Sequence, residues 1–334
     1  MPPAASRFST RKRPPMVTPM RGSSLPDVGA AVILSCVPQR RGSPTLRRAK
    51  RHAGPSPGIG RPRAPATGEP ARPRSMLATM PSDAERSLRR FHARRPGATE
   101  RSIGLGRTRA GQSSYDLLLE HVDGPGAALD VGCGDGGLLA RLRARDPDRP
   151  CAGCDLSEAE LAAARARLGD GVPLAQARGQ ALPHPSGSFP WVLSHLALML
   201  MPLEASLREL RRVVTEGGTL LAVVQSELPP QGAFGELAAR MAAGLEGVAV
   251  PEIGDARASD REALDALLGD AGFSQVRYRD VRLRFAPATW SPLFDSLYGV
   301  DLLPEAARAH ALAATGDEGM MEVRLVRAEA TARG

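Results

Sequence analysis

The stretch ALDVGCGDGG, residues Ala128–Gly137, decides the fold of this 334-residue chain. Its first four residues are typical of a short buried strand, and four of the six that follow are glycine. Glycine has no Cβ and readily adopts positive φ angles, so such a loop lets the backbone approach a ligand that a side chain would block. A strand, a glycine-rich turn and a helix in this order predict a binding loop at the edge of a sheet.

Strand-like and helix-like patterns alternate around this loop, which is typical of a parallel sheet covered by helices on both faces. Seven segments have the character of strands: AALDV (127–131), CAGCDL (151–156), VPLAQA (172–177), FPWVLSHL (189–196), TLLAVVQ (219–225), QVRYRDVRL (275–283) and MEVRLVRA (321–328). In one of the helical segments between them, Ser157 and Glu160 have the spacing of a capping box. The sequence therefore predicts an α/β fold with a seven-stranded sheet.

The first 75 residues differ in composition from the rest. They hold 15 of the 44 Lys and Arg residues, only two acids, Asp27 and Glu69, and 14 of the 30 prolines. Such a segment cannot bury enough apolar surface to offset the entropy lost on ordering, which predicts a disordered tail over residues 1–80. Three explanations for it stay open: a translated stretch upstream of the true start, an Arg-rich targeting peptide, and an arm for an anionic partner. One folded domain, residues 81–334, is expected to follow.

The residues after position 75 carry 29 basic and 34 acidic side chains, a net charge of −5. The basic character of the chain therefore belongs to the tail, and the folded part has no basic stripe that would predict a nucleic-acid partner. No apolar run is long enough to span a bilayer, so membrane insertion is not expected. No pattern in the sequence predicts an oligomeric state.

Four cysteines are present, Cys36, Cys133, Cys151 and Cys154. The CAGC segment has the C-x-x-C spacing of redox sites, but redox pairs begin a helix, whereas this pair lies in a strand-like segment. Residues three apart on a strand face opposite sides, so ordinary buried cysteines are expected. Free cysteines indicate a reducing compartment and a cytoplasmic location. The six histidines show no spacing typical of metal ligands, and no metal is expected.

The glycines of the loop fit two nucleotide-binding patterns. Gly132, Gly134 and Gly137 satisfy the G-x-G-x-x-G of dinucleotide sites. Gly132, Gly134 and Gly136 satisfy G-x-G-x-G equally well. The glycines alone therefore leave NAD open as the ligand.

Acidic residues lie at the ends of the first two predicted strands. Asp130, two residues before the first glycine, suits a cationic group such as the ammonium of an amino acid and gains little beside a pyrophosphate. Asp155 is placed to accept hydrogen bonds from ribose hydroxyls. The two together favour a nucleoside joined to an amino acid over a dinucleotide.

Several motifs in order resemble those of the class I S-adenosylmethionine-dependent methyltransferases, over roughly residues 112–328. The segments that carry the resemblance are LDVGCGDG (129–136), GCDLS (153–157), ALPHPSGSFPWVLSHLAL (181–198), LRELRRVVTEGGTLLAV (207–223) and DREALDALLGDAGF (260–273). The last is similar to a helix of the type 11 branch, which includes menaquinone/ubiquinone and malonyl-carrier-protein methyltransferases.

This resemblance implies a Rossmann-like sheet with an antiparallel last strand, S-adenosylmethionine as cofactor and methyl transfer. Because the folded part has no basic stripe and no nucleic-acid module, a small-molecule acceptor is expected. Two alternatives are kept open. One is a homologue that binds S-adenosylmethionine without methyltransferase turnover or with another reaction, and the other is an NAD-dependent oxidoreductase.

The expected cofactor site consists of ten residues: Tyr115, Asp130, Gly132, Gly134, Gly136, Asp155, Leu156, Gly179, Gln180 and Ser194. His195, at the end of the fourth predicted strand, is expected near the transferred methyl group and is the candidate general base. Two positions depart from the family's pattern. Arg178, which has no acceptor, stands where an acidic residue commonly accepts from the adenine amino group, and Pro190 stands where an aspartate is usual. Adenine would then depend on the backbone and side chain of residues 179–180.

A helical cap insertion is expected over about residues 286–316, between the sixth and seventh strands. Trp290, Phe294 and Tyr298 recur there every four residues, a stripe more typical of core packing than of ligand contact. Together with the segment before the sheet, this cap is expected to set acceptor selectivity. The sequence does not identify the acceptor.

Overall fold

The computed structural model of the chain describes residues 81–313 and 318–332. All of the predicted tail, and Cys36 with it, lies outside these residues. The strands are β1 (Ala128–Val131), β2 (Cys151–Asp155), β3 (Leu174–Gln176), β4 (Phe189–His195), β5 (Val214–Gln225), β6 (Gln231–Gly232), β7 (Phe273–Phe285) and β8 (Gly319–Ala330). The helices are α1 (Asp83–Arg94), α2 (Ala98–Arg101), α3 (Ser114–Leu119), α4 (Gly137–Arg145), α5 (Glu158–Leu168), α6 (Leu203–Val213), α7 (Ala233–Gly244), α8 (Arg261–Ala271), α9 (Trp290–Asp295) and α10 (Glu305–Leu312).

The strands form one sheet in the order β3-β2-β1-β4-β5-β8, and β7 pairs with the far edge of β8. The first five strands run parallel, and β8 is antiparallel to both of its long neighbours. This confirms the predicted Rossmann-like α/β fold with an antiparallel last strand. The structure adds β6, a two-residue strand that pairs with Met320, which is too short to leave a strand pattern in the sequence.

The centre of the sheet is buried on both faces. Leu129 of β1, Leu193 of β4 and Leu221 of β5 are all completely inaccessible to solvent. Helices cover both sides of a parallel sheet, so its central strands are continuous apolar runs without alternation. This explains why the central strands were the easiest elements to predict from the sequence.

Helix boundaries follow local capping signals. Ser113 caps α3 through a reciprocal capping box with Asp116. Gly272, at a φ of +91°, ends α8 in the left-handed conformation that glycine favours. At the start of α5 the predicted capping box is only half formed. Ser157 accepts from the Glu160 N–H, but the Glu160 carboxylate bonds residues of another segment instead.

The three described cysteines are free. Cys154 is buried on β2, and Cys151 at the other end of the same strand is half-buried. Both cysteines of the CAGC segment thus lie in a strand, as predicted, but only Cys154 is fully buried.

Helices α9 and α10 lie between β7 and β8, in the region expected to form the cap. Trp290 and Phe294 of α9 are buried, and the Trp290 ring lies 6.3 Å from that of Phe234 in α7. Tyr298, which follows α9, instead packs against Phe91 of α1, with ring centroids 4.5 Å apart and the rings tilted by 47°. Two residues of the stripe are thus core and the third faces α1. The domain boundaries drawn from the sequence stay a prediction.

Candidate cofactor and acceptor site

A cavity of about 470 Å³ opens at the carboxyl ends of β1, β2 and β4. The chain leaves β1 for β2 on one side of the sheet and returns to β4 on the other, so the cavity lies at the topological switch point where α/β sheets bind ligands. Its walls are the glycine loop after β1, the loops after β3 and β4, and one face of α1.

The glycine loop needs its glycines for two different reasons. Gly132 has a φ of +77°, and a Cβ there would lie 2.3 Å from the Cβ of Ala197. Gly134, at a φ of +51°, turns its N–H toward Asp155 and donates to Oδ2 at 2.9 Å. Gly136 faces away from the cavity, where a Cβ would lie 2.9 Å from Leu168. The first two glycines shape the ligand surface and the third allows α4 and α5 to pack.

Asp130 is a buried carboxylate at the floor of the cavity. It is 1% exposed, and its Oδ1 atom has no hydrogen-bond partner among the described residues. Burial, together with the negative charge of Asp155, raises the pKa of Asp130 to about 8. A carboxylate in this position lacks a cation, so the ammonium group of an amino-acid ligand fits it.

Asp155 is held in place by the backbone. Its Oδ1 accepts from the Ser157 N–H at 2.8 Å and its Oδ2 from the Gly134 N–H at 2.9 Å. Burial raises the pKa of Asp155, although these two bonds act in the opposite direction. A carboxylate has about four acceptor sites, so two bonds leave capacity for a pair of ribose hydroxyls.

Helix α1 supplies the wall opposite the glycine loop. Its Glu85 carboxylate accepts from Arg178 Nε at 3.1 and 2.9 Å, which joins the helix to the loop after β3. Both side chains line the cavity. Arg178, which departs from the family's pattern in the sequence, therefore forms an ion pair with Glu85 at the wall of the cavity.

A second contact joins α1 to α5 and to the segment after α9. His92 Nδ1 lies 2.6 Å from Glu160 Oε1, and His92 Nε2 lies 3.0 Å from the Tyr298 hydroxyl. Glu160 is 2% exposed, and its other oxygen accepts from the Gly97 N–H at 2.7 Å. Three segments distant in sequence meet here at the edge of the cavity.

His195 lies at the end of β4 and faces the cavity. Its ring stacks on Tyr115 with centroids 3.8 Å apart, and its Nε2 is 2.8 Å from the Ser114 hydroxyl. Burial and the nearby Arg141 guanidinium lower the pKa of His195 to about 3. The imidazole is neutral at pH 7 and binds a proton only weakly, which disfavours the general-base role expected from its position.

Comparison with known proteins gives this site a family. Residues 128–218, which include the glycine loop, Asp155 and His195, match a model described as a methyltransferase domain. Over 181 residues the chain is 34% identical to demethylmenaquinone methyltransferase of Thermus thermophilus, an alignment that covers 49% of this chain and 80% of that protein. The chain belongs to the class I S-adenosylmethionine-dependent methyltransferases. The resemblance seen in the motifs is confirmed, and the cofactor is S-adenosylmethionine, not NAD.

Solved structures share the fold of this methyltransferase. The [4+2]-cyclase SpnF superposes with a TM-score of 0.52 at 20% identity, covering 76% of this chain and 99% of the cyclase. Geranyl diphosphate C-methyltransferase of Streptomyces coelicolor, solved with S-adenosylhomocysteine, superposes with a TM-score of 0.50 at 15% identity, covering 75% of this chain and all of that one. At these identities the likeness shows the fold alone.

The methyltransferase structure brings most of the predicted site residues together. Those that line the cavity are Tyr115, Asp130, Gly132, Gly134, Asp155, Leu156, Gly179, Gln180 and His195. Gly136 and Ser194 do not line it, and the Ser194 hydroxyl donates to the Val131 carbonyl at 3.0 Å, which joins β4 to β1. Pro190 lies at the opposite, amino end of β4, where the pairing with β5 shifts register. The ligand roles of the predicted residues stay predictions.

Glu85, His92, Glu160 and Tyr298 also line the cavity, and sequence analysis assigned none of them to the site. Helix α1 begins after Ser82, whose side chain accepts from the Glu85 N–H. An amphipathic pattern indicates that a helix packs against another element, but it does not identify the edge of the sheet that the helix contacts.

Proposed function

We propose that this methyltransferase transfers the methyl group of S-adenosylmethionine to a small, largely apolar acceptor. The observation that carries the proposal is the chemical division of the cavity. Acidic side chains lie at the carboxyl ends of β1 and β2 beside the glycine loop, whereas the loop after β4 contributes mostly apolar side chains, Leu196, Ala197, Leu200, Met201 and Pro202. Asp255 also lines the cavity next to this loop, where its N–H donates to the Met199 carbonyl.

The acidic part suits the cofactor. Asp130 would pair with the ammonium group of the methionine moiety, because its buried oxygen lacks a partner. Asp155 would accept from the ribose, and Gly132 and Gly134 would let the backbone approach closely. When bound, S-adenosylmethionine supplies an electrophilic methyl group on its sulfonium.

The chain's own contribution is alignment and exclusion of water. Tyr115 is 5% exposed and lies between the Arg141 guanidinium, 4.5 Å from its ring centroid, and the stacked His195 ring. Tyr115 and His195 thus form one wall of the cavity. Because His195 is a weak base, we infer that it does not itself remove a proton from the acceptor.

Support for an apolar acceptor also comes from the Thermus thermophilus relative, whose name, demethylmenaquinone methyltransferase, includes that of a quinone. A quinone of that kind fits an apolar compartment better than an RNA or a protein side chain does. Within the described residues no helix is long and apolar enough to cross a membrane. We place the reaction in the cytoplasm, where a reducing environment would keep the described cysteines free.

Incubation with methyl-labelled S-adenosylmethionine and a panel of quinols, phenols and amines tests the proposal. The expected result is label in an organic-soluble product of low mass. An Asp130→Asn protein, which lacks the proposed partner of the cofactor's ammonium group, serves as the control for label that is transferred without the cofactor site. Label that appears in added RNA or protein, with none in the small-molecule panel, would contradict the proposed acceptor class.

A further inference from the structure

The order of the strands indicates where the purine ring of the cofactor would lie. This step rests on the proposed placement of the ribose at Asp155. In the sheet order, β3 lies on the far side of β2 from β1, and Asp155 pairs in register with Gln176. With the amino-acid end at Asp130 on β1, the base extends the other way, toward Leu156 and the loop of residues 177–180.

The amino group of adenine needs an acceptor at this end of the cavity. Arg178 cannot serve, because a guanidinium only donates. Gly179 contributes a backbone that lies close to Met201, since a Cβ at residue 179 would be 2.3 Å from Met201 Sδ. The carboxylate on this wall belongs to Glu85, which α1 brings to the loop.

Glu85 is fixed in place as an acceptor. Arg178 Nε donates to both of its oxygens, and Arg89 Nε donates to Oε1 at 3.0 Å. Its side chain is 14% exposed. Burial alone would raise the pKa of Glu85, but the bonds from Arg178 and Arg89 outweigh burial and lower it. An ionised carboxylate offers only acceptor sites, and these three bonds do not use all of them.

We infer that Glu85, carried by α1, selects the exocyclic amino group of the cofactor's purine ring, and that Arg178 orients it for this task. The ion pair between Glu85 and Arg178 at this corner of the cavity thus joins two residues that are 93 positions apart in the sequence. A carboxylate accepts from the amino group of adenine but meets the carbonyl of a deaminated purine as a second acceptor, which is repulsive. The purine end of the site therefore becomes complete only when α1 is docked.

Calorimetric titration with S-adenosylhomocysteine and with its deaminated analogue, S-inosylhomocysteine, tests this inference. The unaltered protein should bind the adenosyl ligand more tightly by about ten- to a hundredfold, as expected for a charge-assisted hydrogen bond. In Glu85→Ala the two ligands should bind within about threefold of one another. In Glu85→Gln the amide oxygen should stay with the arginines and turn the amide NH₂ to the cavity, which shifts the preference toward the inosyl ligand.

Asp83→Asn is the matched control, because it removes the same charge from the same helix at an exposed position. It should leave the discrimination unchanged. A structural role for Glu85, such as docking α1, would weaken both ligands equally, and retained discrimination in both Glu85 variants would overturn the inference. If the unaltered protein bound neither ligand, the proposed cofactor site itself would fail, which is a different result.

Discussion

Raising the pH from 6 to 7 should tighten the binding of S-adenosylhomocysteine by this protein about ninefold, because Asp130 must lose a proton to pair with the ligand's ammonium group. With a pKa of about 8, Asp130 is mostly protonated at neutral pH in the free protein. Each ligand bound at pH 7 should release about 0.9 proton, and the gain in affinity should level off above pH 8. The ligand's own amino group stays protonated over the pH range 6 to 7.

The assay is isothermal titration calorimetry in buffers of different ionisation enthalpy, which counts released protons directly. Asp130→Asn is the control, since the amide cannot ionise and keeps the shape of the carboxylate. Its affinity should be weaker and nearly independent of pH between 6 and 7. Asp155 and the other carboxylates titrate in both proteins, so the difference between the two isolates Asp130. Equal proton release by the variant would refute the assignment of the ammonium group to this residue.

The same substitution should stabilise the free protein. A carboxyl group whose pKa is raised on folding costs stability above its unfolded pKa, and this cost grows until the pH reaches the folded value. For Asp130 that window runs from about pH 4 to about pH 8. The melting temperature of Asp130→Asn should therefore exceed that of the unaltered protein more at pH 8 than at pH 4.

Three further substitutions test other parts of the structure. Asp155→Ala should weaken S-adenosylhomocysteine at least about tenfold by calorimetry, since it removes the ribose acceptor and the partner of the Gly134 N–H, and an unchanged dissociation constant would exclude the ribose role. His195→Gln should lower kcat less than about tenfold and leave the shape of its pH profile unchanged, whereas a general base would cost about a hundredfold or more and remove a limb of that profile. Leu193→Ala, at a fully buried position of β4, should lower the free energy of unfolding by about 2–5 kcal/mol in urea titrations, and a loss below 1 kcal/mol would mean that the centre of the sheet is less tightly packed than described.

The elements that could be predicted are those whose signal is local. The strand, glycines and acid of residues 128–137 lie next to each other in sequence, and Asp155 ends the next strand along the chain. Parallel strands bring their carboxyl ends to one edge of the sheet, so the fold alone places Asp130 and Asp155 together. The same logic put His195 at the correct edge.

The wall built by α1 could not be predicted, because it depends on contacts between distant segments. His92 and Tyr298 are 206 residues apart, and each looks like an ordinary member of an amphipathic stripe in its own segment. Glu160 shows the same limit, because its spacing from Ser157 indicates a capping box until His92 and Gly97 compete for its carboxylate. The environment of His195 was equally hidden, since its low pKa comes from burial and from Arg141 on another helix.

Side-chain contacts hold both ends of helix α1, and we expect them to affect how fast the enzyme turns over. Glu85 holds its first turn to the loop after β3, His92 holds its last turn to α5, and Arg95 just beyond it pairs with Asp301 at 2.5 and 2.6 Å. If the spent cofactor leaves past this wall, the helix must first release its ion pairs with Arg178 and Asp301. The cofactor's residence time is then governed by how often the helix lifts, so added salt should hasten departure even where it leaves the chemical step untouched.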